Sequence, residues 1–229
     1  MVTPRHEECL KMCSNFTGSV SRIVEIGVTD NSIILELGRV FSAKDLHTID
    51  IVEVPERLGV CFHRLDLNES KLPFPDESMD MVFASEVLEH LYNPDFFLLE
   101  CRRVLKKKGI LMLTTPNLAA WYNRLTMMLG FQPYWSVTSN HIDGLGKLGR
   151  DQAPKGLALS GEGRYNHNRV YALRSLKGIL RANGFSVKRQ KGLPCYDFPH
   201  GLVLLDTIIS HVTSLSSTMI VMAEKEWAG

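Results

Sequence analysis

A chain of 229 residues is long enough for one large or two small domains with a proper core. Apolar residues make up 45% and charged residues 22%, which excludes a disordered chain. A formal net charge of +1 gives no global attraction to nucleic acid or to an anionic membrane.

The opening stretch, "MVTPRHEECLKMCSNF", has no apolar run of signal-peptide length and carries acids early, so a cytoplasmic location is expected. The cysteines are Cys9, Cys13, Cys61, Cys101 and Cys195, and only the first two lie within a helical turn of each other. With no C-x-x-C pair and no third thiolate nearby, reduced thiols are expected rather than zinc or iron–sulfur ligands.

"IVEIGVTDNSIILELG", Ile23 to Gly38, reads as a buried strand, a tight turn and a helix start. Further strands are predicted over Leu46–Ile51, Val60–Leu65, Met79–Ala84, Ile110–Thr114, Phe185–Lys191 and Thr218–Ala223, after a first at Arg22–Ile26. Helical patterns cover Ser32–Phe41, Asp95–Leu105 and Ala172–Asn183. Asn31 or Ser32 can cap the first helix, and Asn183-Gly184 ends the last. Lys106, Lys107 and Lys108 read as cations complementing a helix end. Strand–helix alternation implies a mainly parallel sheet with helices on both faces.

Residues 131–163 break the rhythm, with glycines at 144, 146, 149, 156, 161 and 163. A loop this long hanging over the carboxyl edge of the sheet reads as a lid or acceptor-binding insertion in a single domain spanning 1–229. "GLVLLDTIISHV" near the end reads as a helix packed on the sheet, with peripheral membrane contact as the alternative. Trp121, Tyr122, Tyr134 and Trp135 suit either core and lid packing or stacking on an acceptor.

Acids recur at strand ends. Asp50 closes the second strand, Asp66 follows the third and Glu86 follows the fourth. A carboxylate after the second strand can take both ribose hydroxyls of an adenosine group. Three acids in register with the Gly27 turn point to a nucleotide-like ligand.

"KLPFPDESMDMVFASEVLEHLYNPDFFLLECRRVLKKKGILMLTTPN" resembles the central block of class I S-adenosylmethionine-dependent methyltransferases, the type 11 group in particular. The shared features are a Leu-Pro-Phe-Pro-Asp turn, an acid-ended fourth strand, a Glu-x-x-x-His helix start and a basic turn before strand five. The resemblance covers roughly residues 20 to 192. It implies a Rossmann-like, doubly wound, seven-stranded sheet, mostly parallel with the last strand antiparallel.

It further implies methyl transfer from S-adenosylmethionine to a small-molecule, sugar- or lipid-linked acceptor. Glu25, Gly27 and Thr29 would meet the methionine part of that cofactor, Asp50 the ribose and Ile51 the adenine. Asp66 and Leu67 would border the adenine amino edge, and Ser85 and Glu86 would flank the sulfonium with His90 one turn on. The sequence departs from the group at Val28-Thr29-Asp30-Asn31 and at Lys107-Lys108, where glycine-bearing turns are usual. Threonine adds a Cβ where glycine would let the backbone approach a ligand.

Other chemistries fit less well. Positions 27, 29 and 32 read Gly, Thr and Ser rather than the dinucleotide fingerprint, and no Tyr-x-x-x-Lys, G-x-S-x-G or P-loop occurs. His141 and Asp143 read as solvated loop residues, and no metal set is expected from spacing. Glu86, His90, His141 and His167 are candidates for an acceptor base, with none singled out. "RRVLKKK" lacks interleaved aromatics, which disfavours a nucleic-acid partner. A non-catalytic protein keeping the fold as a binding or scaffold module is the contrasting reading, and the sequence sets neither acceptor nor oligomeric state.

Overall fold

A computed structural model describes residues 3–28, 32–54, 57–138, 145–149, 167–196, 198 and 200–226. Seven strands form one sheet in the order β3-β2-β1-β4-β5-β7-β6. They are β1 (Arg22–Ile26), β2 (Asp45–Asp50), β3 (Val60–Arg64), β4 (Met79–Ser85), β5 (Leu105–Pro116), β6 (Phe185–Leu193) and β7 (Thr218–Lys225). The first five run parallel, and β7 is antiparallel to both β5 and β6. This is the doubly wound, Rossmann-like sheet that the strand pattern and the resemblance imply.

Alternation along the central strands sorts the core into two layers. Ile23, Met81, Phe83, Ile110 and Met112 face one side, where they meet Cys9, Met12 and Cys13 of α1 (Pro4–Ser14) and Ile34 and Leu37 of α2 (Ile34–Phe41). Val24, Ile26, Val82, Ala84, Leu111 and Leu113 face the other, against Leu98 and Cys101 of α3 (Pro94–Val104) and Leu176 and Leu180 of α5 (Leu173–Ala182). Sheets buried on both faces need near-continuous apolar strands, and β1, β4 and the second half of β5 supply them. Gly184, with φ +79°, ends α5 as predicted.

Four local expectations change. Ser32 caps α2 only loosely: Ile33 holds the cap position, and the Ser32 hydroxyl donates to Glu25 at 2.6 Å while its oxygen accepts from the Ile34 amide at 3.5 Å. Asn31, the other candidate cap, lies outside the described residues. The lysine run follows the end of α3 at Val104 as expected but forms part of β5, with Lys106 on Asp80 at 2.7 Å and Lys108 at φ +61°. That left-handed position accounts for the glycine usual there.

The Glu86–His90 stretch forms a single 3-10 turn (Leu88–His90), and the helix proper starts at Pro94 under an Asn93 cap. Finally, α6 (His200–Ile209) turns the polar Asp206 inward and leaves Leu202, Leu204, Leu205 and Ile208 exposed, so its apolar side does not pack on the sheet.

Two helices went unread in the sequence. One is α1, whose Thr3-Pro4 start is a cap followed by proline at the first helical position. The other is α4 (Trp121–Met128).

Candidate cofactor and acceptor site

The carboxyl ends of β1 to β5 lie along one edge, tied by backbone bonds that continue the ladder beyond the strands. Gly27 N–H donates to Ile49 at 3.0 Å, Leu65 N–H to the Asp50 carbonyl at 2.9 Å and Glu86 N–H to Thr114 at 3.0 Å. The strand-end acids are therefore brought to one crevice, where open α/β sheets bind ligands.

Gly27 has φ +78°, and a Cβ added there would lie 2.4 Å from Val87 Cγ2. The position thus requires glycine twice over, for its backbone region and for its contact with the β4 turn. Glu25, one residue before Ile26, is buried. Its two oxygens accept from the Ile33 amide at 3.1 Å and from Ser32 Oγ at 2.6 Å. Burial raises its pKa against the pull of those hydrogen bonds. Glu25 therefore ties the end of β1 to Ser32 and Ile33 at the entry to α2. Thr29 lies outside the described residues, as do Asp30 and Asn31.

Asp50 is half-buried, and its Oδ1 accepts from the Val52 amide at 2.9 Å, leaving Oδ2 for a ligand. Ile51 follows with 43% of its surface exposed, an apolar face beside that carboxylate. Asp66 Oδ1 accepts from the Asn68 amide and side chain at 2.9 and 3.2 Å, a local turn that fixes the crevice wall. Leu67 packs against the core below it.

The β4 side is more densely connected. Ser85 Oγ lies 2.9 Å from Thr114 Oγ1 and 3.4 Å from His6 Nε2. Glu86, at φ +57°, accepts from Thr114 Oγ1 at 3.0 Å and pairs with Arg5 at 3.4 Å. The first turn of α1 is thus docked on this end of the crevice. His6 is buried, and burial together with the neighbouring Arg5 charge pushes its pKa down to about 4. Sequence reading missed His6 because it missed α1.

His90 stands next to His167, ring centroids 4.9 Å apart, while His141 lies outside the described residues. Between Glu86 and His90 sits Glu89, fully buried, with one oxygen on Thr115 Oγ1 at 3.0 Å. Burial, aided by the Glu86 charge, holds its pKa well above the ordinary carboxylate range. The only sequence signal for it was its place in "EVLEH".

An aromatic wall flanks this end. Trp135 Nε1 donates to Tyr122 Oη at 2.9 Å, and Tyr122 meets Tyr134 and Phe198 edge-on at 5.6 and 5.1 Å. Trp121 donates to the buried Asp206 at 2.7 Å, which fixes α4 to α6. Of the predicted lid, 139–144 and 150–163 lie outside the described residues. Its described flanks pair through Gln132 and Gly146 at 2.8 Å and through Tyr134 and Leu148 at 2.9 Å.

No helix among the described residues is long and apolar enough to cross a membrane. All five cysteines are free thiols.

Residues 24–113 match the family model described as a methyltransferase domain. A probable S-adenosylmethionine-dependent methyltransferase of Mycobacterium tuberculosis is 45% identical over 53 residues, 23% of this chain and 19% of that protein. The mitochondrial ubiquinone biosynthesis O-methyltransferase of Rattus norvegicus is 32% identical over 134 residues, 58% of this chain and 31% of that protein. The chain thus spans about a fifth to a third of the length of these curated relatives.

Among solved structures, a putative methyltransferase from Haloferax volcanii, in complex with the Trm112 methyltransferase activator, superposes with a TM-score of 0.62 at 14% identity. That match covers 97% of this chain and 91% of that one. The strand order and the acid-lined carboxyl edge agree with these matches, in which residues 24–113 are similar to the methyltransferase domain of the type 11 group and to S-adenosylmethionine-dependent methyltransferases.

Proposed function

We propose that the chain transfers a methyl group from S-adenosylmethionine to a hydroxyl oxygen on a small or lipid-linked acceptor. The observation that carries this is the Gly27 turn, tied to the end of β2 and packed on the turn after β4, so that the strand ends bearing Asp50 and Glu86 lie on either side of it. The donor set suits the cofactor. A carboxylate with one oxygen free takes ribose hydroxyls at Asp50, Ile51 and Leu67 offer apolar surface to adenine, and Glu86 supplies negative charge beside a cationic sulfur.

When bound, the cofactor supplies an electrophilic methyl group. The chain's part is alignment: Gly27 and Val87 fix the floor, Glu25 holds the loop, and the Ser85–Thr114–Glu86 network sets the carboxylate.

An oxygen acceptor is favoured by the likeness to an O-methyltransferase of ubiquinone biosynthesis. A lipid-linked one is favoured by the exposed apolar side chains of α4 and α6, among them Leu125, Met128, Leu204 and Ile208. We assign residues 131–163 the role of lid over that acceptor.

Calorimetric titration with S-adenosylmethionine and S-adenosylhomocysteine tests the reading. Both should bind with one site per chain, and absence of binding at millimolar concentration of either would end it.

A further inference from the structure

Glu89 poses a problem that the methyl-transfer reading does not use. Its side chain is fully buried, and Oε1 meets no hydrogen-bond partner among the described residues. A buried polar atom left without a partner is costly, and more so when it belongs to a carboxylate. The Glu86 carboxylate beside it adds repulsion, and Arg5 is placed on Glu86 rather than on Glu89.

Two imidazoles stand where a bound cation would need them. His90 follows Glu89 in the chain. His167 is brought from 77 positions further on by a strap, in which Arg169 N–H donates to the Glu89 carbonyl at 3.0 Å and Asn168 Nδ2 to the His90 carbonyl at 2.5 Å. One donor atom from each of Glu89, His90 and His167 lies within 4.8 Å of the other two. Bonds to a first-row ion of about 2.0–2.2 Å ask these atoms to close further, which rotation of the half-buried imidazoles allows.

The tautomer is already set at one of them. His167 Nδ1 lies 2.9 Å from the Trp135 carbonyl, and a carbonyl only accepts. Nδ1 therefore carries the proton and Nε2 the lone pair, the second-shell arrangement that prepares a histidine for metal.

We propose that Glu89, His90 and His167 form a binding site for a first-row divalent ion of the manganese, cobalt or zinc class. Two imidazoles and one carboxylate suit these ions, whereas magnesium and calcium favour all-oxygen shells. Three protein ligands leave positions open, and Trp135 lies beside one of those ligands, its ring centroid 6.0 Å from that of His167.

The ion's role there rests on the methyl-transfer reading. An acceptor hydroxyl taken as a further ligand becomes more acidic and loses its proton to solvent. The oxygen then forms the O–CH₃ bond as the S–CH₃ bond breaks, with that electron pair staying on sulfur. Sequence spacing did not show this set, because its third member arrives through tertiary structure.

The test is a titration of the full chain with Mn(II), the free ion counted by electron paramagnetic resonance. His47, Cys61 and His63 on β2 and β3 also converge, so His63→Ala serves as the parent throughout. One Mn(II) should bind per chain, and His167→Ala should weaken it at least about tenfold. Glu89→Gln should do the same, and thermal unfolding of both variants shows whether the fold is kept.

S-adenosylmethionine affinity, measured separately, should be unchanged in His167→Ala. No binding at millimolar Mn(II), or equal affinity in parent and His167→Ala, overturns the site. Mn(II) binding of the expected pattern in a chain that takes up no S-adenosylmethionine would uphold the ion site and overturn the methyl-transfer reading, so the two failures stay distinct.

Discussion

On the β2–β3 side of the crevice, Asp50 and Asp66 each engage one oxygen with a backbone amide two residues ahead. On the β4–β5 side, Glu86 and Glu89 are held by partners far away in sequence: Arg5, Thr114 and Thr115. The first pair sits in self-satisfied turns that need nothing else in order to form. The second pair is buried or ion-paired, and its state depends on α1 and β5 being docked. A ligand site can be built either way, but only the second kind couples ligand affinity to distant packing and to pH.

Gly27 lies at the seam between the two sides, and its replacement should cost most. Gly27→Ala forces a Cβ into the left-handed region, at about 1–2 kcal/mol, and into Val87, where overpacking adds about 1–3 kcal/mol. Urea unfolding should show a loss of roughly 3 kcal/mol, and a loss under about 1 kcal/mol would mean that the β4 turn yields easily.

His6 isolates the pH response of the β4–β5 side. Its folded pKa of about 4 lies below the unfolded value of 6.5, so between them the unfolded chain binds more protons. Stability contributed by the neutral imidazole is present above that window and is lost as pH falls through it. The loss between about pH 7 and about pH 5 should be roughly 2 kcal/mol, beyond that of His6→Gln. Parallel curves for the two proteins would show that α1 undocks before His6 is protonated.

Asp50 isolates the other side. Hydrogen bonds to a charged group are worth about 1.5–3 kcal/mol each, so Asp50→Ala should weaken S-adenosylmethionine binding at least about tenfold. Asp50→Asn keeps the shape and should fall between. S-adenosylhomocysteine keeps the same ribose and should lose affinity alike, whereas unequal losses would move Asp50 away from the ribose.

The same contrast decides what was legible from residues alone. The β2–β3 side is local: an acid at a strand end and an Asx turn lie within a few positions, and Asp50, Ile51, Asp66 and Leu67 were all named. The sheet itself follows from apolar runs, whose bounds moved by one or two residues at most ends. The position of the lysines after α3 was legible, but not their place within β5, because an extended strand with a left-handed residue carries no apolar signal. Glu89's burial, the His90–His167 contact and the docking of His6 depend on tertiary approach, which periodicity does not encode. Of these, α1 alone had a local mark, the Thr3-Pro4 start.

Arg5 offers the smallest and most discriminating effect. The Arg5–Glu86 pair spans 3.4 Å with both side chains partly exposed, so Arg5→Ala should change stability by less than about 1 kcal/mol. Its consequence for ligands differs in sign between the two cofactor forms. With Arg5 gone, the Glu86 carboxylate keeps its Thr114 hydrogen bond but loses the compensating positive charge. A sulfonium gains from that unbalanced charge, while the neutral thioether of S-adenosylhomocysteine does not. The affinity ratio of the two forms should therefore move about two- to fivefold toward S-adenosylmethionine, equivalent to about 0.4–1 kcal/mol. Added salt should shrink the shift, since the pair is partly solvated. Both ligands use the same ribose and adenine contacts, so changes on the β2–β3 side cancel in the ratio. An unchanged ratio at low salt would place Glu86 too far from the sulfur to act on it and would leave its negative charge to the acceptor alone.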